Sequence, residues 1–207
     1  MSDAATSLAQ RWDERFATTT EEERSWSQSS IAESLFFIDE TAPTPATSII
    51  DIGGGASHLV DALVESGYED LSVLDISSVA LDEARGRLPG NRVNWIVADV
   101  TTWLPQRTFQ LWHDRAVLHF LVEPADQARY VATATSAIEP GGHLVLATFA
   151  HSGPATCSGL AVQRWSAREL AGLFSEDFTL LESVVKDHVT PWGAVQPFTW
   201  ALLRRAN

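Results

Sequence analysis

The run Asp51-Ile52-Gly53-Gly54-Gly55-Ala56-Ser57 sets three consecutive glycines directly after a short apolar stretch, Ile49-Ile50. Without a Cβ, a chain turning through Gly53, Gly54 and Gly55 lets a ligand approach its backbone N–H groups closely. A tight strand-to-helix connection uses the same residues, so the turn alone decides little. Two acids add to it. Asp75 follows Gly55 by 20 positions, the spacing at which a carboxylate grips ribose hydroxyls beside a doubly wound sheet. Asp99 closes the next apolar run, where a carboxylate can accept a hydrogen bond from an adenine amino group. Each acid alone reads equally well as a solvated strand end; the three in succession point to a nucleoside-bearing ligand. Further on, Leu111-Trp112-His113-Asp114-Arg115-Ala116-Val117-Leu118-His119 gathers imidazoles, a carboxylate and a guanidinium within one short segment.

These groups need a scaffold, and the pattern supplies one. Short apolar runs at 48–52, 71–76, 92–100, 109–117 and 143–150 alternate with helical stretches at 57–67, 77–88, 126–140 and 166–174. Serines 77 and 166 stand where helix caps are needed. Pro140-Gly141-Gly142 is expected to stop the third of these helices. Residues 178–189 and 195–205 read as two strands around the short turn 190–194, an antiparallel hairpin. Strands alternating with helices imply a mostly parallel α/β sheet covered on both faces. Residues 1–46 are polar and helix-prone, carry Trp12, Phe16, Trp26, Phe36 and Phe37, and end in a proline-containing break at 41–48. They are expected to form a helical extension or lid on a domain spanning 47–207.

Composition narrows the partners. Lys and Arg total 14 against 27 Asp and Glu, a formal charge of −13, which repels phosphate backbones and anionic membranes. The one dibasic pair is Arg204-Arg205. The single cysteine, Cys157, excludes an intrachain disulfide and a Cys-rich metal site. His151 and His188 lack metal-ligand spacing with any acid, so no metal is expected. No apolar stretch reaches the roughly 20 residues of a membrane span, and the first residues lack the pattern of a secretory signal. A cytoplasmic protein without nucleic-acid or membrane partners is the expectation; the oligomeric state is open.

The chain resembles the class I, S-adenosylmethionine-dependent methyltransferases over residues 47–205. The stretch 51–57 is similar to their Asp/Glu-x-Gly-x-Gly-x-Gly motif, with Asp51, Gly53 and Gly55 matching and Ser57 in place of the last glycine. Residues 73–77 resemble their ribose-holding acidic loop, 98–101 the loop beside adenine, and 139–149 the turn into their fifth strand. The resemblance implies a seven-stranded sheet of order 3-2-1-4-5-7-6 with the last strand antiparallel, and S-adenosylmethionine as cofactor. It further implies that Asp51, Gly53, Gly54 and Gly55 bind the cofactor, with Gly53 and Gly55 facing its methionine part, Asp75 the ribose, Asp99 the adenine, and Ile76 and Val100 walling the base. The segment 111–121 is similar to the Trp-Asp-Arg-Gly-Ala-Leu stretch of thiopurine and related small-molecule S-methyltransferases, and to the Asp-Lys-Gly stretch of some protein-lysine methyltransferases. Since the sulfonium already activates the methyl group, the protein's task is alignment and removal of the acceptor's proton. His119, Arg115 and Asp114 are the candidates: His119 as base, Arg115 to pair with an anionic acceptor or lower a thiol's pKa, Asp114 beside them. Packing of the histidine and a structural Asp114–Arg115 ion pair are the bland alternatives.

The expected function is methyl transfer to a small-molecule acceptor, a thiol foremost, with a protein-lysine acceptor as the alternative. A nicotinamide oxidoreductase would need glycine at position 58, which is His58. A non-catalytic cofactor-binding protein is the remaining rival.

Overall fold

The structure, a computed structural model, describes residues 7–27, 31–88, 90 and 93–207. Seven strands make one sheet: β1 (Ile49–Ile52), β2 (Leu71–Asp75), β3 (Val93–Val97), β4 (Phe109–Arg115), β5 (Ile138–Phe149), β6 (Phe178–Val189) and β7 (Val195–Arg205). Their order is β3-β2-β1-β4-β5-β7-β6, as the resemblance implied. The first five run parallel, and β7 pairs antiparallel with both β5 and β6. The expected start of β3 at Arg92 lies outside the described residues.

Every residue of β1 and β2 is buried, as befits parallel strands covered on two faces. The pleat divides them. Ile49, Val73, Leu111 and Val145 face Phe37 and Ile38 of α2 (Ala32–Thr41) and Leu59 and Leu63 of α3 (Leu59–Glu65). Ile50, Leu74, Trp112 and Leu146 face Tyr130 and Ala134 of α5 (Pro124–Ala137) and Leu170 of α6 (Ala167–Leu173). Ser77 caps α4 (Ser78–Arg87) and Ser166 caps α6, both as expected.

The segment before β1 is more than an appendage. Phe37 stacks on Trp200 of β7, with ring centroids 5.5 Å apart and planes at 10°. Asp13 of α1 (Leu8–Thr18) accepts hydrogen bonds from Ser77 Oγ at 2.7 Å and Val79 N at 3.2 Å, at the start of α4. The buried Arg24 grips Glu83 of α4 through two 3.0 Å bonds and donates to the carbonyls of Phe16 and Thr19. A guanidinium so enclosed rests on these partners, and removing one would be costly.

One expected boundary moves. Helix α5 ends at Ala137, and Pro140-Gly141-Gly142 lie inside β5 rather than ending the helix. Proline forces its predecessor out of the helical region, so the chain is already extended at Glu139. Gly141 takes φ +77°, and the pairing with β4 shifts register between Phe109 and Leu111.

Candidate active site

The C-terminal ends of β1, β2 and β4 meet at the crevice where strand order reverses, the usual ligand position in such sheets. At the end of β1 the chain turns through Gly53 (φ +66°) and Gly55 (φ +46°), angles that disfavour any residue with a side chain. Space forbids one as well. A Cβ on Gly53 would lie 2.0 Å from Val117 Cγ2, and one on Gly54 2.6 Å from Asp51 Oδ2. On Gly55 it would lie 2.9 Å from Asp75 Oδ2.

Two cavities open around this turn. The larger, about 800 Å³ counting its mouth, is lined by Gly53, Asp75, Ile76, Asp99 and Val100 and by Arg115 and Cys157. The smaller, about 670 Å³ on the same measure, runs along Gly53–His58 past Asp51, Ser34 and His113. Phe16, Trp26, Gly53 and Arg115 border both. Trp12 meets Trp26 and Phe120 edge-on, at 5.6 and 5.3 Å between centroids, beside the larger cavity.

Asp75 is buried and accepts a 2.8 Å hydrogen bond from Ser77 N through Oδ1. Burial, reinforced by the Asp51 and Asp13 carboxylates, pushes its pKa up to about 7. Asp99 is less enclosed; its Oδ1 accepts from Thr101 N (2.8 Å) and Thr101 Oγ1 (2.7 Å). The eight residues expected around the cofactor therefore converge: Asp51, Gly53, Gly54 and Gly55 on the smaller cavity, Gly53, Asp75, Ile76, Asp99 and Val100 on the larger.

The acceptor-side trio separates. Arg115 borders both cavities. Its Nη1 donates to the Trp26 carbonyl at 3.0 Å, and its guanidinium lies 4.8 Å from the centroid of the Phe198 ring. Its buried Nη2 has no partner among the described residues. Burial pulls the pKa of Arg115 down to about 10, the electrostatic mark of a cation with too few partners.

Asp114 points to the opposite face of β4, as alternation requires. Its carboxylate accepts from Val117 N (2.8 Å), Leu118 N (3.1 Å) and Tyr130 Oη (2.5 Å), and burial raises its pKa to about 6. It fixes the turn leaving β4, in which Ala116 holds φ +76°, and makes no ion pair with Arg115. His119 is sealed against Phe120 and Phe149, with ring centroids 4.5 and 4.7 Å away. Its Nδ1 accepts a 3.4 Å bond from Phe149 N, which leaves the proton on Nε2, and Nε2 has no partner among the described residues. Burial, with Arg115 adding to it, drives its pKa down to about 3. Neither Asp114 nor His119 lines either of these two cavities, so the geometry does not carry the expectation of His119 as a base in contact with ligand.

What sequence reasoning missed is His113. It lies beside Asp51 in the β1–β4 pairing, donates from Nδ1 to Asp51 Oδ1 at 2.7 Å, and meets Ser34 Oγ of α2 through Nε2 at 3.1 Å. Nothing in the spacing of residues 51 and 113 announces this; adjacency of the two strands creates it. Cys157 is buried, 3.9 Å from the hydroxyls of Ser25 and Ser158, and burial pushes its thiol pKa up. Among the described residues no group of three or more His, Cys, Asp or Glu side chains could hold a metal ion. Nor is any described helix long and apolar enough to cross a membrane.

Comparison with known proteins gives this geometry a class. Residues 49–142 match the family described as "Methyltransferase domain". The chain is 34% identical over 137 residues to trans-aconitate 2-methyltransferase of Methylobacterium radiotolerans, covering 65% of this chain and 48% of that protein. It is 29% identical over 126 residues to nodulation protein S of Rhizobium tropici, covering 60% and 49% respectively. The chain thus spans about half the length of the curated relatives it matches. Among solved structures, the N-methyltransferase NodS of Bradyrhizobium japonicum, in complex with S-adenosyl-L-homocysteine, superposes with a TM-score of 0.74 at 19% identity. That superposition covers 95% of this chain and 98% of that one. Residues 49–142 thus resemble a methyltransferase domain, and the chain shares the fold of an N-methyltransferase solved with S-adenosyl-L-homocysteine. The residues present fit a ligand of the S-adenosylmethionine kind: a glycine cradle that any Cβ would fill, a buried carboxylate beside it, and a second cavity that shares Gly53 and Arg115 with the first.

Proposed function

We propose that the protein transfers the methyl group of S-adenosylmethionine to a small-molecule acceptor that reacts as an anion, a thiol ionised in the site being the foremost candidate. The observation that carries this reading is Arg115, a buried guanidinium at the junction of the two cavities with one nitrogen unpartnered. An uncompensated buried cation is costly, and an acceptor anion would relieve that cost. When bound, the cofactor supplies a methyl group already activated by its sulfonium. The chain's own residues have the remaining tasks. Gly53, Gly54 and Gly55 offer backbone to the methionine end beside Asp51. Asp75 accepts from the ribose hydroxyls, and Asp99 with Ile76 and Val100 flanks the adenine. Arg115 pairs with the acceptor, and Trp12 and Trp26 exclude water from the transfer. Asp114 sets the direction of Arg115 by holding the turn after it, and His119 packs behind that turn.

A carboxylate acceptor also satisfies Arg115, and a relative at 34% identity is named for trans-aconitate. The test is a panel of thiols, carboxylates, amines and a lysine-containing peptide, scored for S-adenosylhomocysteine by mass spectrometry. Turnover of small thiols is the expected outcome. Turnover confined to carboxylates would overturn the thiol reading, and turnover confined to the peptide the small-molecule reading itself.

A further inference from the structure

The Ser34–His113–Asp51 array belongs to none of the roles above except through Asp51. Its members come from α2, β4 and β1, and all three border the smaller cavity together with Arg115. His113 stands two residues before Arg115 on the same face of β4, so a ligand paired with Arg115 lies over this array. The imidazole is bonded at both nitrogens, to a carboxylate on one side and a hydroxyl on the other. With Nδ1–H donated to Asp51, Nε2 carries the lone pair, and Ser34 Oγ–H donates to it. That arrangement of hydroxyl, base and orienting carboxylate moves a proton inward from whatever touches the hydroxyl. The other charged groups around it are Arg115 on β4 and Glu33 on α2, Asp114 on the far face of β4, and Glu21, Arg24 and His58 along the lining of the smaller cavity.

We propose that Ser34, His113 and Asp51 form a proton relay for the acceptor, which assigns the acceptor to the protic nucleophiles, a thiol S–H rather than a carboxylate. This rests on the methyl-transfer reading and sharpens it, because a carboxylate has no proton to lose. The acceptor's S–H proton passes to Ser34 Oγ as the Ser34 proton passes to His113 Nε2. The resulting imidazolium is held by Asp51, and the thiolate is held by Arg115. The sulfur then bonds to the methyl carbon, whose bond to the donor sulfur breaks and leaves its electron pair there. Ser34 touches the acceptor; His113 and Asp51 act through it.

The experiment compares 2-mercaptoethanol with 4-nitrothiophenol, a thiol already ionised at neutral pH, in wild type, His113→Asn and Ser34→Ala. Asparagine keeps a donor toward Asp51 but has no base; alanine breaks the relay and leaves the His113–Asp51 pair in place, which guards against a folding defect in the first variant. At pH 7 both variants should lose about 10²-fold or more in kcat with 2-mercaptoethanol. The deficit should shrink as pH rises toward the free thiol's own pKa, and should be only a few-fold for 4-nitrothiophenol. S-adenosylhomocysteine should bind the variants within about twofold of wild type, since the relay serves the acceptor. Equal deficits with both thiols at every pH, or cofactor affinity falling in step with kcat, would overturn the relay alone. Failure of the wild type to methylate either thiol would overturn the thiol reading on which it rests.

Discussion

Asp75 makes two opposite demands on the fold, and replacing it separates them. Its carboxyl is raised to about 7 by burial, so at pH 6 about one-tenth is ionised and at pH 8 about nine-tenths. A carboxylate that accepts ribose hydroxyls is the competent form, and apparent cofactor affinity should therefore rise about ninefold between those pH values. Asp75→Asn keeps an acceptor for Ser77 N but removes the charge. Hydrogen bonds to a charged partner are worth roughly 1.5–3 kcal/mol, so S-adenosylhomocysteine should bind the variant roughly 10- to 150-fold more weakly at pH 8. At pH 6 the gap should narrow. Calorimetry on both proteins across this range cancels the titration of the ligand's own amine.

Stability should move the other way. A carboxyl whose folded pKa lies above its unfolded value of 3.8 contributes stability in full below about pH 4 and loses it as pH rises through about 7. At pH 8 the ligand-free wild type carries a penalty on the order of 4 kcal/mol as an upper limit. Asp75→Asn lifts it, so the ligand-free variant should melt several degrees higher than wild type at pH 8 and close to it only at about pH 4. A variant that binds the ligand as well as wild type at pH 8, or one that melts lower there, would refute the assignment of Asp75.

Three other substitutions follow from the same geometry. Gly53→Ala sets a Cβ 2.0 Å from Val117 Cγ2 at φ +66°; binding of S-adenosylhomocysteine should fall at least tenfold, and Val117→Ala on that background should recover part of it by calorimetry. Arg115→Gln should raise the acceptor's KM more than tenfold and leave the Kd for S-adenosylhomocysteine within about threefold; a rise in Kd matching the rise in KM would show that Arg115 serves the donor instead. His119→Phe places an apolar ring among Phe120, Phe149 and Phe198 and removes a buried Nε2–H without a partner. Steady-state kcat should stay within a few-fold of wild type, and a fall of about 10²-fold or more would restore His119 as the base.

The scaffold was largely legible because its signals are local. Buried parallel strands read as unbroken apolar runs, as in Ile49–Ile52, and caps such as Ser77 and Ser166 announce helix starts. The glycine turn and Asp75 were legible for a related reason: backbone freedom and a strand-end acid are properties of position. The helix stop at Pro140 was misplaced because proline says where a helix cannot be, not where the preceding strand begins. The acceptor side resisted reading because its chemistry depends on neighbours far apart in sequence. Arg115 and His119 are four residues apart, yet one borders both cavities and the other is walled in by Phe149 and Phe198. His113 becomes more than a core histidine only once β1 and α2 bring Asp51 and Ser34 to its two nitrogens.

The central claim is that the crevice around Gly53–Gly55 and Asp75 houses a methyl donor. Calorimetric titration of the purified chain with S-adenosylhomocysteine tests it most directly, with NADH in a parallel run. One-to-one saturable binding of S-adenosylhomocysteine is expected, weakened by Asp75→Asn and Gly53→Ala, with no comparable binding of NADH. Saturable NADH binding with no response to S-adenosylhomocysteine would contradict the claim.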